Sequence, residues 1–269
     1  MSGGRKHRLQ DMTCAEFAER ATEKPVVLLP FGAQEQQGPH APMGDFMLAD
    51  RLAALAAERS GAVAAPTMPF GESESVRGMP GCISLRPPTL VALIEDICDN
   101  FLDHGLEHLV ILNGQTSNGP HIDHAVRRLR RKRGVMVPRL DLWRLTTPEQ
   151  RAKLYGADAA RAQGHGGDPI TSMFMHHFPD IVRGDLVAPP PGWKTLWDLP
   201  TKSVSTVIFR DVPVPLPLDV TEMSTTGTFS GDPRYASAEI GRGLTQLLVD
   251  FIVAFVEHFR GCDVRAPAR

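Results

Sequence analysis

Cysteine is scarce. The chain has four in 269 residues, Cys14, Cys82, Cys98 and Cys262, scattered and without a CxxC pair. That argues against a disulfide scaffold and suits a reducing compartment. Excess charge is missing too. The formal net charge is -2, so nothing in the balance calls for nucleic acid or a membrane surface. No apolar run reaches the length of a membrane span, and no signal peptide precedes the first motif. These absences lead us to expect a cytoplasmic protein without a nucleic-acid or membrane partner. Hydrophobic residues at 42% and charged residues at 22% supply a sizeable core. The length suits one large α/β domain or two small ones. We read residues 1–269 as one domain, with residues 1–10 frayed and 188–218 a proline-rich excursion.

The stretch that organises the rest runs from Leu29 to Asp45. An apolar run, Val26 to Leu29, predicts a buried strand. It empties into a loop holding Glu35, three glutamines, His40 and Asp45, and Met47 to Ala57 then predicts a helix. A polar loop between a strand end and a helix is where α/β proteins place ligand sites. Gly32, Gly38, Pro39, Pro42 and Gly44 bend that loop repeatedly, and few loops combine so many hinges and polar groups without a function.

The remaining pattern alternates strands with helices, which predicts a parallel-rich sheet with helices on both faces. Thr13 with Glu16 forms a capping box ahead of a short helix. Short strands are expected at Ala62–Ala65, Leu109–Leu112 and Val135–Val137. Thr89 to His104 spaces its apolar residues at helical intervals, as do Gly119 to Lys132 and Tyr235 to Phe259. Gly71 to Gly81 is expected as a loop over the site. Asn113 to Asn118 follows a strand end, a second favoured position for site residues. The basic run Arg127 to Arg133 reads as cations solvating a helix C-terminus, where the macrodipole favours them. Within the excursion, the prolines of Val212-Pro213-Val214-Pro215-Leu216-Pro217 argue against a sheet interior.

Five segments, taken in order, are similar to the creatininase (creatinine amidohydrolase) family. Pro30 to His40 with Asp45 resembles its first signature, Pro-x-Gly-x-x-Glu-Gln-His-Gly-x-His followed by Asp. Met79 to Leu85 resembles Phe-Pro-Gly-Thr-Ile-Ser-Leu, and Asn113 to Asn118 resembles Asn-Gly-His-x-x-Asn. His165 to Ser172 resembles the block that carries the family's catalytic histidine, and Gly227 to Gly241 resembles its last block. The resemblance implies a three-layer α/β/α sandwich, a mostly parallel sheet, action on small C–N compounds and assembly as a homo-oligomer, often a hexamer.

The resemblance also implies a two-metal site, and here the chain departs from it. Glu35 is kept. The first-block histidine is Gln37, and the ungapped aspartate position is Phe46, with Asp45 one residue early. The third-block histidine is Gln115, the acidic position two beyond it is Ser117, and the fourth-block glutamate is Ile170. Transition-metal sites need imidazole or carboxylate donors in number. The fold therefore carries over and the metal pair does not, so no metal cofactor is expected.

Three readings follow. In the first, Glu35 and His165 act as acid and base on a C–N bond of a small amide, lactam or related compound, opening, closing or eliminating a ring. Gln37, His40, Asp45, Gln115, Ser117 and Asp168 would then contact the substrate. Imidazole suits proton transfer near neutral pH, and amides both donate and accept hydrogen bonds. In the second, one residual zinc or manganese is held by Glu35, Asp45 or His40, with a glutamine as a further ligand. In the third, the scaffold binds a ligand without turning it over. Asp168 has a blander reading as a helix cap, and Cys82 as a small core-lining residue.

Overall fold

The strand β1 (Val27–Phe31) carries no polar side chain, and all five of its residues are buried. A strand apolar on both faces belongs in the middle of a parallel sheet covered by helices. The computed structural model, which describes residues 4–265, places it there. In chain order the elements of the main body are α1 (Cys14–Thr22), β1, α2 (Phe46–Ser60), β2 (Val63–Ala64), α3 (Pro87–Asp103), β3 (Leu109–Asn113), α4 (Gly119–Arg133), β4 (Arg139–Asp141), α5 (Pro148–Tyr155), α6 (Ala159–Ala162) and α7 (Ile170–His177). The sheet order is β2-β1-β3-β4, with every pair parallel.

That order determines where helices lie. From β1 the chain steps outward to β2, then crosses back past β1 to β3 and on to β4. With right-handed crossovers, α2 falls on one face and α3 and α4 on the other. The packing agrees: α3 lies against α4, while α2 lies against the long closing helix α9 (Ala238–Phe259), which also covers α7. The result is a three-layer α/β/α sandwich. Its core includes Leu28, Leu48, Ile94, Leu109, Leu112, Leu248 and Ile252, all buried. The step reverses between β1 and β3, so the loops after those two strands flank the switch point, where open α/β sheets bind ligands.

Thr13 and Glu16 form the expected capping box at α1. Three expectations need correction. The fourth strand is Arg139–Asp141 rather than Val135–Val137, because the register pairs Ile111 with Arg139. Val135 is buried, but its backbone bridges to Arg265 in the tail. Burial alone did not say which backbone pairs. Residues 1–10 are not frayed as a block. Residues 1–3 lie outside the described residues, while Arg8 pairs parallel with Ala64 at the sheet edge and reaches Asp50 at 2.9 Å.

The excursion is not irregular. It contains a four-stranded antiparallel sheet, β5 (Thr195–Leu196), β6 (Leu199–Ser203), β7 (Thr206–Phe209) and β8 (Val212–Pro215). Trp197-Asp198 and Arg210-Asp211 make two-residue hairpin turns with positive φ at both positions, the geometry that matches strand twist. Pro213 and Pro215 lie on the exposed edge strand β8, where a missing N–H costs nothing. The short helix α8 (Val220–Met223) follows. No helix among the described residues is long and apolar enough to cross a membrane.

Candidate active site

Glu35 lies in the loop after β1 and is buried. Its carboxylate is surrounded by donors. Ser73 gives its hydroxyl to Oε2 at 2.6 Å, and the Gln115 amide nitrogen donates to the same oxygen. Gln37 Nε2 donates to Oε1 at 3.3 Å, and His165 Nδ1 lies 3.8 Å from Oε1. Gln115 also donates to Ser73 Oγ at 2.9 Å. A carboxylate only accepts hydrogen bonds when ionised, so this shell fits the charged form. Burial opposes it and wins: it pushes Glu35 up to about 7, with the bonds from Ser73, Gln115 and Gln37 pulling the other way. Such a carboxylate can take or release a proton near neutrality.

Asp45 is also buried. Its Oδ1 accepts the Ala33 N–H at 2.7 Å. Burial, and then the nearby charge of Glu35, hold it well above the usual carboxylate range. Two neighbouring buried carboxylates do not both ionise readily. Glu35 has three side-chain donors and Asp45 a single backbone one, so Asp45 is held toward its neutral form the more strongly.

His165 precedes α7. Its ring stacks on Phe229 at 4.8 Å, and Trp193 meets Phe229 edge-on at 5.8 Å. Burial pushes the imidazole down to about 4, offset in part by the Gln36 backbone. The ring is therefore neutral at pH 7. Gln36 Nε2 lies 2.9 Å from His165 Nε2, while Gln36 Oε1 accepts the Gly38 N–H at 2.8 Å.

A cavity of about 260 Å³ opens beside these groups, lined among others by Gln37, Asp45, Gln115, Trp143, Arg144 and His165. Glu35 is not among the lining residues, and three side chains that are, Gln37, Gln115 and His165, lie against its carboxylate. Trp143 is held by a hydrogen bond from its indole N–H to the Gly114 carbonyl.

The other sequence-derived site residues have structural partners. His40 is buried, with Nε2 3.0 Å from the Thr171 hydroxyl. Ser117 donates its hydroxyl to the Glu72 carbonyl at 2.5 Å. Asp168 lines the cavity, but both its oxygens are taken by Ser172, by the backbone N–H at 2.7 Å and the hydroxyl at 2.6 Å. That is the helix-capping role. Cys82 accepts the Gln36 N–H at 3.2 Å, and burial raises its thiol. Sequence reasoning placed the Gly71–Gly81 loop over the site but did not single out Ser73. It noted Gln36 among three glutamines without giving it a role. Nothing in the spacing marks Trp143 or Phe229.

The two-metal site does not fit these residues. Gln37 and Gln115 turn their amide nitrogens, not their oxygens, toward Glu35, so hydrogen bonds fill the space a cation would need. Among the described residues no three His, Cys, Asp or Glu side chains form a group that could hold a metal ion. Phe46 presents no donor, and its backbone lies against Gly32; the carboxylate that reaches the site is that of Asp45.

A parallel α/β/α sheet with polar loops at its switch point defines a class of α/β proteins that bind ligands outside the carboxyl ends of their strands. The family pattern described as creatinine amidohydrolase matches residues 10–256, and the chain belongs to the creatininase family. It is 32% identical over 200 residues to the creatinine amidohydrolase of Pseudomonas putida, covering 67% of this chain and 75% of that one. It is 30% identical over 171 residues to a mycofactocin precursor peptide peptidase of Mycolicibacterium smegmatis, covering 60% and 61%. A solved mutant creatininase of Zn-Zn type superposes with a TM-score of 0.75 at 26% identity, covering 95% of this chain and 98% of that one.

Proposed function

We propose that the chain is a creatininase-family enzyme that acts on a C–N bond of a small polar amide, lactam or related nitrogen compound, with proton transfers carried by its own side chains instead of a metal pair. The observation that carries this reading is Glu35, a buried carboxylate raised to about 7 and 3.8 Å from His165 Nδ1. Glu35 takes up a proton, with His165 holding its Nδ1 toward that carboxylate, and Asp45 on the cavity wall, held toward its neutral form, supplies one. Each such transfer contributes typically ~10²–10⁴-fold. Hydrolysis of an unactivated amide is hard by this means alone, so ring opening, closure or elimination of an activated C–N bond suits the site better. A cavity of about 260 Å³ is below the roughly 300–1,000 Å³ usual for drug-sized ligands, which supports a small substrate. Assembly of several copies is part of the same reading and rests on family resemblance.

The test is turnover of a panel of lactams, cyclic amides and cyclic ureides, with and without chelator. Chelator-insensitive activity that falls at least about tenfold in both Glu35→Gln and His165→Ala, with folding intact, supports it. Losses below about tenfold in both variants remove these residues from the chemistry. A second reading, ligand binding without turnover, is favoured by one observation: His165 Nε2 is already occupied by Gln36. Binding without turnover of any panel member would decide for it.

A further inference from the structure

Arg144 ends the short turn Leu142–Arg144 that follows β4, at the carboxyl end of the sheet. It is exposed and lines the cavity mouth. The neighbouring arginine of that strand, Arg139, is fully committed to the Gly119 carbonyl, Asp123 and Asp141. Arg144 has no hydrogen-bond or ion-pair partner among the described residues. Among the described residues it is also the only arginine or lysine on the cavity wall, and His165 on that wall is neutral.

Resting on the small-substrate reading above, we infer that the substrate carries a carboxylate as well as its reacting C–N bond, and that Arg144 recognises it. A guanidinium offers paired N–H donors that match a carboxylate's two oxygens. The rest of the wall tolerates the anion. Asp168 has both oxygens bonded to Ser172, and Asp45 accepts the Ala33 N–H and is held toward its neutral form by burial. Gln163, on the same wall, is neutral and sets no charge against the anion. The site then holds the anionic end at the mouth and presents the ring amide to the carboxylate–imidazole pair.

The experiment uses acid and carboxamide members of matched pairs, such as 5-oxoproline with 5-oxoprolinamide and hydantoin-5-acetic acid with its amide. Binding is followed by titration calorimetry or by Trp143 fluorescence. The acid member of at least one pair should bind about tenfold tighter than its amide to the parent. That preference should shrink to about twofold in Arg144→Gln and persist in part in Arg144→Lys. Equal binding of acid and amide, a preference that survives Arg144→Gln, or no binding by any pair at millimolar concentration overturns the inference. Absence of turnover with the acid preference intact leaves it standing and removes only the catalytic reading.

Discussion

Gln36 clamps His165 from behind. Its amide nitrogen meets His165 Nε2 at 2.9 Å and the Gly227 carbonyl at 3.2 Å, while its oxygen takes the Gly38 N–H at 2.8 Å. Two backbone groups of opposite polarity thus fix which end of the amide faces the ring. Nε2 must accept, so the imidazole proton sits on Nδ1, the nitrogen facing Glu35. Protonating Nε2 would set N–H against N–H, so this contact and burial both favour a neutral ring.

Gln36→Leu removes the clamp and strands the Gly38 N–H and the Gly227 carbonyl. Each buried group left unpaired costs about 1–3 kcal/mol, so denaturant unfolding should show a loss of at least about 1 kcal/mol. Imidazole ¹⁵N shifts should show His165 losing its single tautomer. Unchanged shifts would mean that Gln36 does not set it.

The pH dependence of stability follows from Glu35. Its folded value, about 7, is above the ordinary 4.5. A carboxyl raised on folding contributes fully below its unfolded value and loses that contribution as pH rises through the folded one. Stability of the parent relative to Glu35→Gln should therefore fall between pH 4.5 and pH 7, by up to about 3 kcal/mol. Chemical denaturation at a series of pH values reads this directly; a difference that stays flat or grows across the window contradicts the assignment.

Phe229 covers one face of His165 at 4.8 Å. Phe229→Ala uncovers the ring and reduces the burial that pushes it down to about 4. Its pKa should move up toward the ordinary 6.5 by roughly one unit or more, as read by NMR titration. No movement would show that another neighbour controls the desolvation.

Metal binding should be weak and recoverable. After incubation with zinc or manganese and desalting, elemental analysis should find well under one ion per chain; two tightly held ions would refute the misfit. Gln37→His with Gln115→His returns two imidazoles beside Glu35 and Asp45. Because Asp45 already brings its carboxylate to the site, this pair should raise zinc affinity at least about tenfold without Phe46→Asp. If Phe46→Asp proves necessary, Asp45 does not stand in the ligand position.

The strand-loop-helix pattern around Glu35 and the buried Leu109–Leu112 run were legible because a fully apolar stretch has few places to go but the middle of a parallel sheet. The five ordered blocks identified the family, and the loss of imidazoles at Gln37 and Gln115 is a matter of residue type, visible without coordinates. Tertiary structure decided what those glutamines do. An amide has a donor end and an acceptor end, and only its neighbours select between them; here Gln37 and Gln115 donate to Glu35, and Gln36 grips His165. Tertiary structure also placed Ser73, Trp143 and Phe229 at the site, since each arrives through a loop whose path no local periodicity records. It turned a proline-rich stretch into a meander, with Pro213 and Pro215 on the one edge where an absent N–H leaves no bond unmade. The titration behaviour of Glu35, Asp45 and His165 belongs to the fold as well, because desolvation is set by what surrounds a group in space rather than in sequence.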